Sequence, residues 1–224
     1  MIESLKFDGI SFKYPNGTEV LSKASFTIPM NNWVFIRGDL GQGKSTIIKL
    51  LLGLMEPSEG KVIFNGFDIH ELGFEEFSKF LARIGHVLDD EGLLSNQSLF
   101  ENLSLPLIYH ENKPHDKRER WIDELIEKFK LMSFKKARPA FATTETKKIF
   151  SILRALVLKP ELIIMHNPFK DLGEMNQKRV LSLLEEFQDK YGLKHIIIAA
   201  DEIGILRDKK MKYLEINKGQ VHEL

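Results

Sequence analysis

The chain has 224 residues, 32 Lys plus Arg against 32 Asp plus Glu, and no cysteine. A length of this order buries the core of one α/β domain, and balanced charge excludes a global field that would steer the protein onto nucleic acid or an anionic membrane. The lack of cysteine excludes a disulfide framework and a thiolate metal site and suits the cytosol. The first residues, "MIESLKFDGI", lack a basic-then-apolar leader pattern, and no apolar run approaches the roughly 20 residues that span a bilayer, so a soluble chain is expected.

In chain order, "SLKFDGISFKY" and "LSKASFTI" mix alternating and short apolar runs with turn residues, which predicts an antiparallel sheet at the start. "WVFIRG" reads as a short buried strand. "GDLGQGKSTIIKLLLGL" reads as a glycine loop opening an apolar helix, "EPSEG" as its end, and "KVIFNG" as the next strand. Strand, loop, helix, strand begins a doubly wound unit. From about 95 to 156 the pattern turns helical: "HENKPHDKRER" is expected to be a charged surface connector and "WIDELIEKFKLM" a helix. The α/β pattern resumes with the strand "PELIIMHNP", the helix "QKRVLSLLEEFQDKYG" and the strand "KHIIIAA". "KYLEINKGQVHEL" closes as two short strands about the turn "NKG". The expected organisation is one domain, with a core of about 1–94 and 157–224 and a helical subdomain of about 95–156.

The stretch Gly38–Thr46, "GDLGQGKST", fits G-x-x-x-x-G-K-[ST] between a predicted strand and a predicted helix. Glycines at 38, 41 and 43 let backbone amides turn inward around phosphate oxygens. Lys44 is placed to reach β and γ phosphates, Ser45 to ligate magnesium, and the helix start to offer its positive dipole end. Gly38, Asp39, Gly41, Gln42, Gly43, Lys44, Ser45 and Thr46 form the expected nucleotide-binding set, with ATP as ligand.

Around this loop, "FKYPNGTEVL", "GLMEPSEGKVIFNGFDI", "IGHVLDDEGLLSNQSLFENLSLPL" and "RALVLKPELIIMHNP" resemble the ATP-binding-cassette (ABC) ATPases, the nucleotide-binding subunits of membrane transporters. The resemblance covers essentially the whole chain. It implies an α/β P-loop core with an N-terminal antiparallel β subdomain and an inserted α-helical subdomain. It also implies Tyr14 as the aromatic that stacks on adenine, a transmembrane permease partner, and a head-to-tail homodimer or heterodimer. In such a pair each site combines one chain's phosphate loop with the other's signature helix. The resemblance places the chain in the cytoplasm, peripheral on the membrane through its permease, which would dock near Asp89 to Leu107. No nucleic acid is expected.

Residue by residue, the family's functional positions are replaced. The glutamine that helps hold magnesium is Asp89, a second candidate metal ligand beside Ser45. The signature serine and glycines fall on Ala142 to Thr146. The magnesium-associated aspartate is His166, the catalytic glutamate Asn167, a dimer-contact aspartate Gly173, and the switch histidine Ala200. Asn167 can hold a water but cannot accept its proton, and losing a positioned general base costs about 10²–10⁴-fold. Ala200 withdraws a hydrogen bond from the transferring phosphoryl, a loss of about 3 kcal/mol by analogy with oxyanion donors. Thr143 or Thr144 is expected to cap a helix whose positive end Glu145 complements.

Three functions follow. The first is a transporter subunit that binds ATP with impaired hydrolysis; "HNPF" and "LFENLSLPL" are similar to lipid-trafficking ATPases of the Mla type, with efflux and lipoprotein release as alternative cargoes. The second is a working ATPase that uses Asp89, Asp201 or Glu202 in place of the lost groups. The third, a soluble protein acting on nucleic acid or ribosomes, lacks a basic stripe or a long coiled coil to support it. His166 adds two side readings: a metal shared with Asp89 and Ser45, or an imidazolium that partly replaces the magnesium charge.

Overall fold

Residues 1–90, 92–111 and 114–224 are described by a computed structural model. The first strands are β1 (Leu5–Lys13) and β2 (Glu19–Thr27), paired antiparallel, with β4 (Glu59–Phe64) on the other side of β1 and β5 (Phe67–Asp68) beyond it. The alternation in "LKFDGISFK" puts Leu5 and Phe7 inward while Lys6 and Asp8 face water. Phe7 stacks on Phe26 across the pair, with ring centroids 4.4 Å apart.

β3 (Trp33–Arg37) lies between two parallel neighbours, β8 (His195–Ala199) and β9 (Lys212–Asn217). Four of its five residues are buried, as expected for a strand covered on both faces. β10 (Gln220–Glu223) forms a hairpin with β9 about Lys218 and Gly219, both at positive φ, which is the backbone a two-residue turn needs. In the sheet order, β7 (Leu162–His166) follows β8.

α1 (Lys44–Leu51) buries Ile47, Ile48, Leu50 and Leu51. It stops well before "EPSEG", where the sequence pattern ended it. Gly53, at φ 63°, turns the chain out: its N–H bonds to Leu50 O and the Leu54 N–H to Lys49 O, a Schellman closure. α2 (Phe74–Leu81) has no counterpart among the sequence expectations; none of its residues is buried.

Two compact units result. The first comprises Met1–Leu81, Ile164–Asn167 and Lys194–Leu224; the second comprises Ala82–Ile163 and Pro168–Leu193. The second holds β6 (Ile84–Val87), α3 (Leu99–His110), α4 (His115–Glu127), α5 (Thr144–Leu156) and α6 (Glu174–Tyr191). Its core joins Leu99, Leu103 and Leu107 of α3, Ile122, Leu125 and Ile126 of α4, and Ile149, Phe150 and Leu153 of α5. Ser98 and Glu101 close a reciprocal capping box at the start of α3. α4 begins six residues before "WIDELIEKFKLM" and takes in most of the stretch read as a connector; Asn112 and Lys113 of that stretch lie outside the described residues. α4 also ends at Glu127, short of the run's last residues. The expected α/β architecture, with its antiparallel β subdomain and helical insertion, is the one formed.

Candidate functional site

The phosphate loop joins β3 to α1 in the first unit. Gly41 and Gly43 take φ of 81° and 103°, a left-handed backbone that side-chain-bearing residues reach only at a cost. Gly43 is the N-cap of α1 and brings no side chain to the amides of the first turn, which also carries no acidic residue. The amides of the helix start are therefore not capped by a side chain of the helix's own N-terminus. The Tyr14 hydroxyl pairs with Thr46 Oγ1 at 2.8 Å, and its ring meets Phe12 edge-on at 5.0 Å. The residue expected to receive adenine is thus anchored to α1 through its polar end. Ser45, the expected magnesium ligand, is half-buried one residue past Lys44.

Lys44 is 5% exposed. Its ammonium donates to Gly38 O at 2.5 Å and Asp39 O at 3.0 Å, and pairs with Asp201 Oδ1 at 3.0 Å. The C-terminal ends of β7 and β8 supply the facing groups. His166 and Asn167 are buried at the end of β7, and Asn167 sits at φ 44°, a conformation asparagine tolerates better than most residues. The Asn167 N–H bonds to Ala199 O at 2.8 Å, while its Oδ1 accepts from the Asp201 N–H at 3.1 Å. The amide side chain at the expected catalytic position thus holds the backbone of the loop that follows β8. Ala200, 7% exposed, stands in that loop, and its N–H reaches Ile36 O at 3.4 Å. Crevices at the carboxyl ends of parallel strands are where open α/β sheets bind ligands.

The remaining positions belong to the second unit. Asp89 is exposed in the turn after β6. Thr143 caps α5, its Oγ1 accepting from the Thr146 N–H at 3.1 Å, so Thr143 rather than Thr144 is the cap. Glu145 stands in the first turn of α5, as expected, and serves a second helix as well. Its Oε1 accepts from the Gly173 N–H at 2.8 Å and from Asn176 Nδ2 at 2.9 Å, at the N-terminus of α6, where Gly173 is the cap residue. The Asn176 amide and then the Gly173 N–H hold the Glu145 carboxyl below its ordinary range. The sequence reading does not include Asn176, and it places Thr46 in the phosphate loop without the Tyr14 contact. Their roles depend on partners 31 and 32 positions away, which no local pattern marks.

Among the described residues no group of three or more His, Asp or Glu side chains gathers as a metal cluster, and no helix is long and apolar enough to cross a membrane.

A family model described as ABC transporter matches residues 21–170. The cell division ATP-binding protein FtsE of Escherichia coli K12 is 28% identical over 218 residues, covering 97% of each chain. The lipoprotein-releasing system ATP-binding protein LolD of Buchnera aphidicola subsp. Schizaphis graminum is 28% identical over 202 residues, 90% of this chain and 87% of its own. The ATP-binding cassette MJ0796, in a dimeric post-hydrolysis state bound to ADP and Pi, superposes with a TM-score of 0.88 at 23% identity, covering 98% and 97% of the two chains. The cbiO1 subunit from Clostridium perfringens, part of the ABC transporter complex cbiONQ, gives 0.78 at 25% identity, covering 99% of this chain and 88% of its own.

Proposed function

Because the chain belongs to the ABC transporter family and builds that family's nucleotide-binding cassette, we propose that it binds ATP at the phosphate loop and turns it over far more slowly than an intact cassette. In this reading the whole chain is one nucleotide-binding domain that pairs with a second cassette, its own copy or another, on the cytoplasmic face of a permease. Gly38, Asp39, Gly41, Gln42, Gly43, Lys44, Ser45 and Thr46 cradle the phosphates and Tyr14 meets the adenine. The loop geometry supports this: glycines at positive φ and a helix start without a side-chain cap suit an oxyanion.

The end of β7 carries the reading. Asn167 Oδ1 is spent on the Asp201 N–H, so the position expected to take a proton from water holds a neutral amide engaged with backbone. His166 beside it offers no carboxylate to magnesium, so in this unit Ser45, the phosphates and water are left as oxygen donors for that ion. A protonated His166 that partly replaces the metal's charge would make ATP binding depend little on magnesium. Glu145 presents a carboxylate where the family presents glycines to the partner's γ phosphate, so the opposite site is impaired as well. The cargo class we propose is lipid or lipid-linked. Its support is "HNPF" and "LFENLSLPL", together with the lipoprotein-releasing name carried by one relative.

The test is equilibrium ATP binding by the purified chain and by Lys44→Ala, each with and without magnesium, alongside identification of the membrane protein that co-purifies with the chain. Lys44-dependent binding supports the reading, and its absence in the native chain contradicts it; binding that survives chelation supports the His166 charge, whereas binding confined to magnesium contradicts that charge alone. A second reading is favoured by one observation, the Asp201 carboxylate 3.0 Å from Lys44: a working ATPase in which Asp201 replaces a lost acid. That reading requires turnover that Asp201→Asn abolishes.

A further inference from the structure

An ammonium has three protons to give, and three oxygens stand within hydrogen-bond reach of Lys44: Gly38 O, Asp39 O and Asp201 Oδ1. Two are loop carbonyls fixed by the turn that builds the cradle. The third is a carboxylate brought in from the end of another strand. The side chain of Lys44 is 5% exposed and that of Asp201 is 46% exposed, so the cation lies inside and its anion at the mouth. The backbone leading into Asp201 is held by two successive N–H groups. Its own N–H bonds to Asn167 Oδ1, and the preceding residue, Ala200, bonds to Ile36 O.

We propose that Asp201 is an internal counter-ion that competes with the terminal phosphates of the nucleotide for Lys44, and so sets the affinity of the loop for ATP. The proposal rests on the reading that the loop binds ATP. A phosphate oxygen and the Asp201 carboxylate cannot both take the third proton of Lys44, and at that spacing two anions repel. Binding therefore has to move the carboxylate. Its half exposure lets it rotate into water while its backbone stays on Asn167, which keeps the competition modest and reversible. Asn167 is a positioning residue here: its amide oxygen holds the segment that aims Asp201 at the loop.

The experiment is calorimetric titration of ATP, and separately of inorganic pyrophosphate, into the full chain, Asp201→Asn, Asp201→Ala and the Lys44→Ala/Asp201→Asn double variant, with thermal melting to confirm that each is folded. Removing the competing charge is expected to tighten both ligands about 10-fold, the low end of what a charged hydrogen bond contributes, and the double variant is expected to lose that gain. Lys44-dependent binding by the native chain with no change in either Asp201 variant overturns the counter-ion role and leaves ATP binding standing. Weaker binding in both variants also overturns it and shows Asp201 helping to hold the ligand. Lack of binding by the native chain and the single variants alike overturns both this proposal and the reading it rests on.

Discussion

Glu145 carries a carboxylate from the first turn of α5 to the N-terminus of α6, where it accepts two hydrogen bonds. Its pKa is lowered from the ordinary 4.5, first by Asn176 and then by the Gly173 N–H. A carboxylate whose folded pKa is depressed stabilises the fold above its unfolded value and loses that contribution as pH falls through the folded one. Glu145→Ala is therefore expected to melt roughly 2 °C lower than the native chain at neutral pH, and the gap should close as the pH drops below 4.5. A gap that persists in acid would mean packing, not charge, holds the contact. Asn167 makes a second test. Glutamate at φ 44° pays the left-handed penalty, about 1 kcal/mol. Asn167→Glu should thus be less stable by that amount in denaturant melts. It should also gain no phosphate release, because Ala200 and Glu145 are unchanged.

Among the elements, α5 depends on its cap and its buried face. Thr143→Ala removes the Oγ1 acceptor from the Thr146 N–H and should cost about 1 kcal/mol. Phe150→Ala empties a fully buried position and should cost about 3–5 kcal/mol, both read from urea midpoints. Most elements were legible because burial writes a period into the sequence. The continuous apolar runs of β3, β7 and β8 and the alternation in β1 report buried faces directly. α2 was missed for the converse reason: none of its residues is fully buried, and it is held by the partial contact of Phe80 with the Phe64 ring rather than by a buried face. The early start of α4 was hidden because "HDKRER" is almost wholly solvated and reads as surface. At the site, the loop was legible as a contiguous motif. The pairs Lys44–Asp201 and Glu145–Asn176 were not, since each forms only when distant segments meet.

For the whole molecule, the proposed function puts each ATP between one chain's phosphate loop and another chain's signature helix, as the resemblance to the ABC ATPases implies. In that proposal this chain would supply a loop of intact pattern and, at the signature position, an α5 whose first turn carries Glu145, bonded to α6. Pairing with its own copy would give two sites that hold nucleotide without the groups that cleave it. Pairing with an intact cassette would give one site lacking the acids of β7 and one lacking the signature glycines. Either way the expected work of the chain is nucleotide holding within a transporter assembly. The most direct measurement is a single-turnover chase: γ-labelled ATP bound to a stoichiometric amount of the purified chain, with Lys44→Ala as control, and released label followed over hours. The account predicts Lys44-dependent retention of label as ATP, with release no faster than in the control. Prompt release of phosphate that disappears in Lys44→Ala would contradict it.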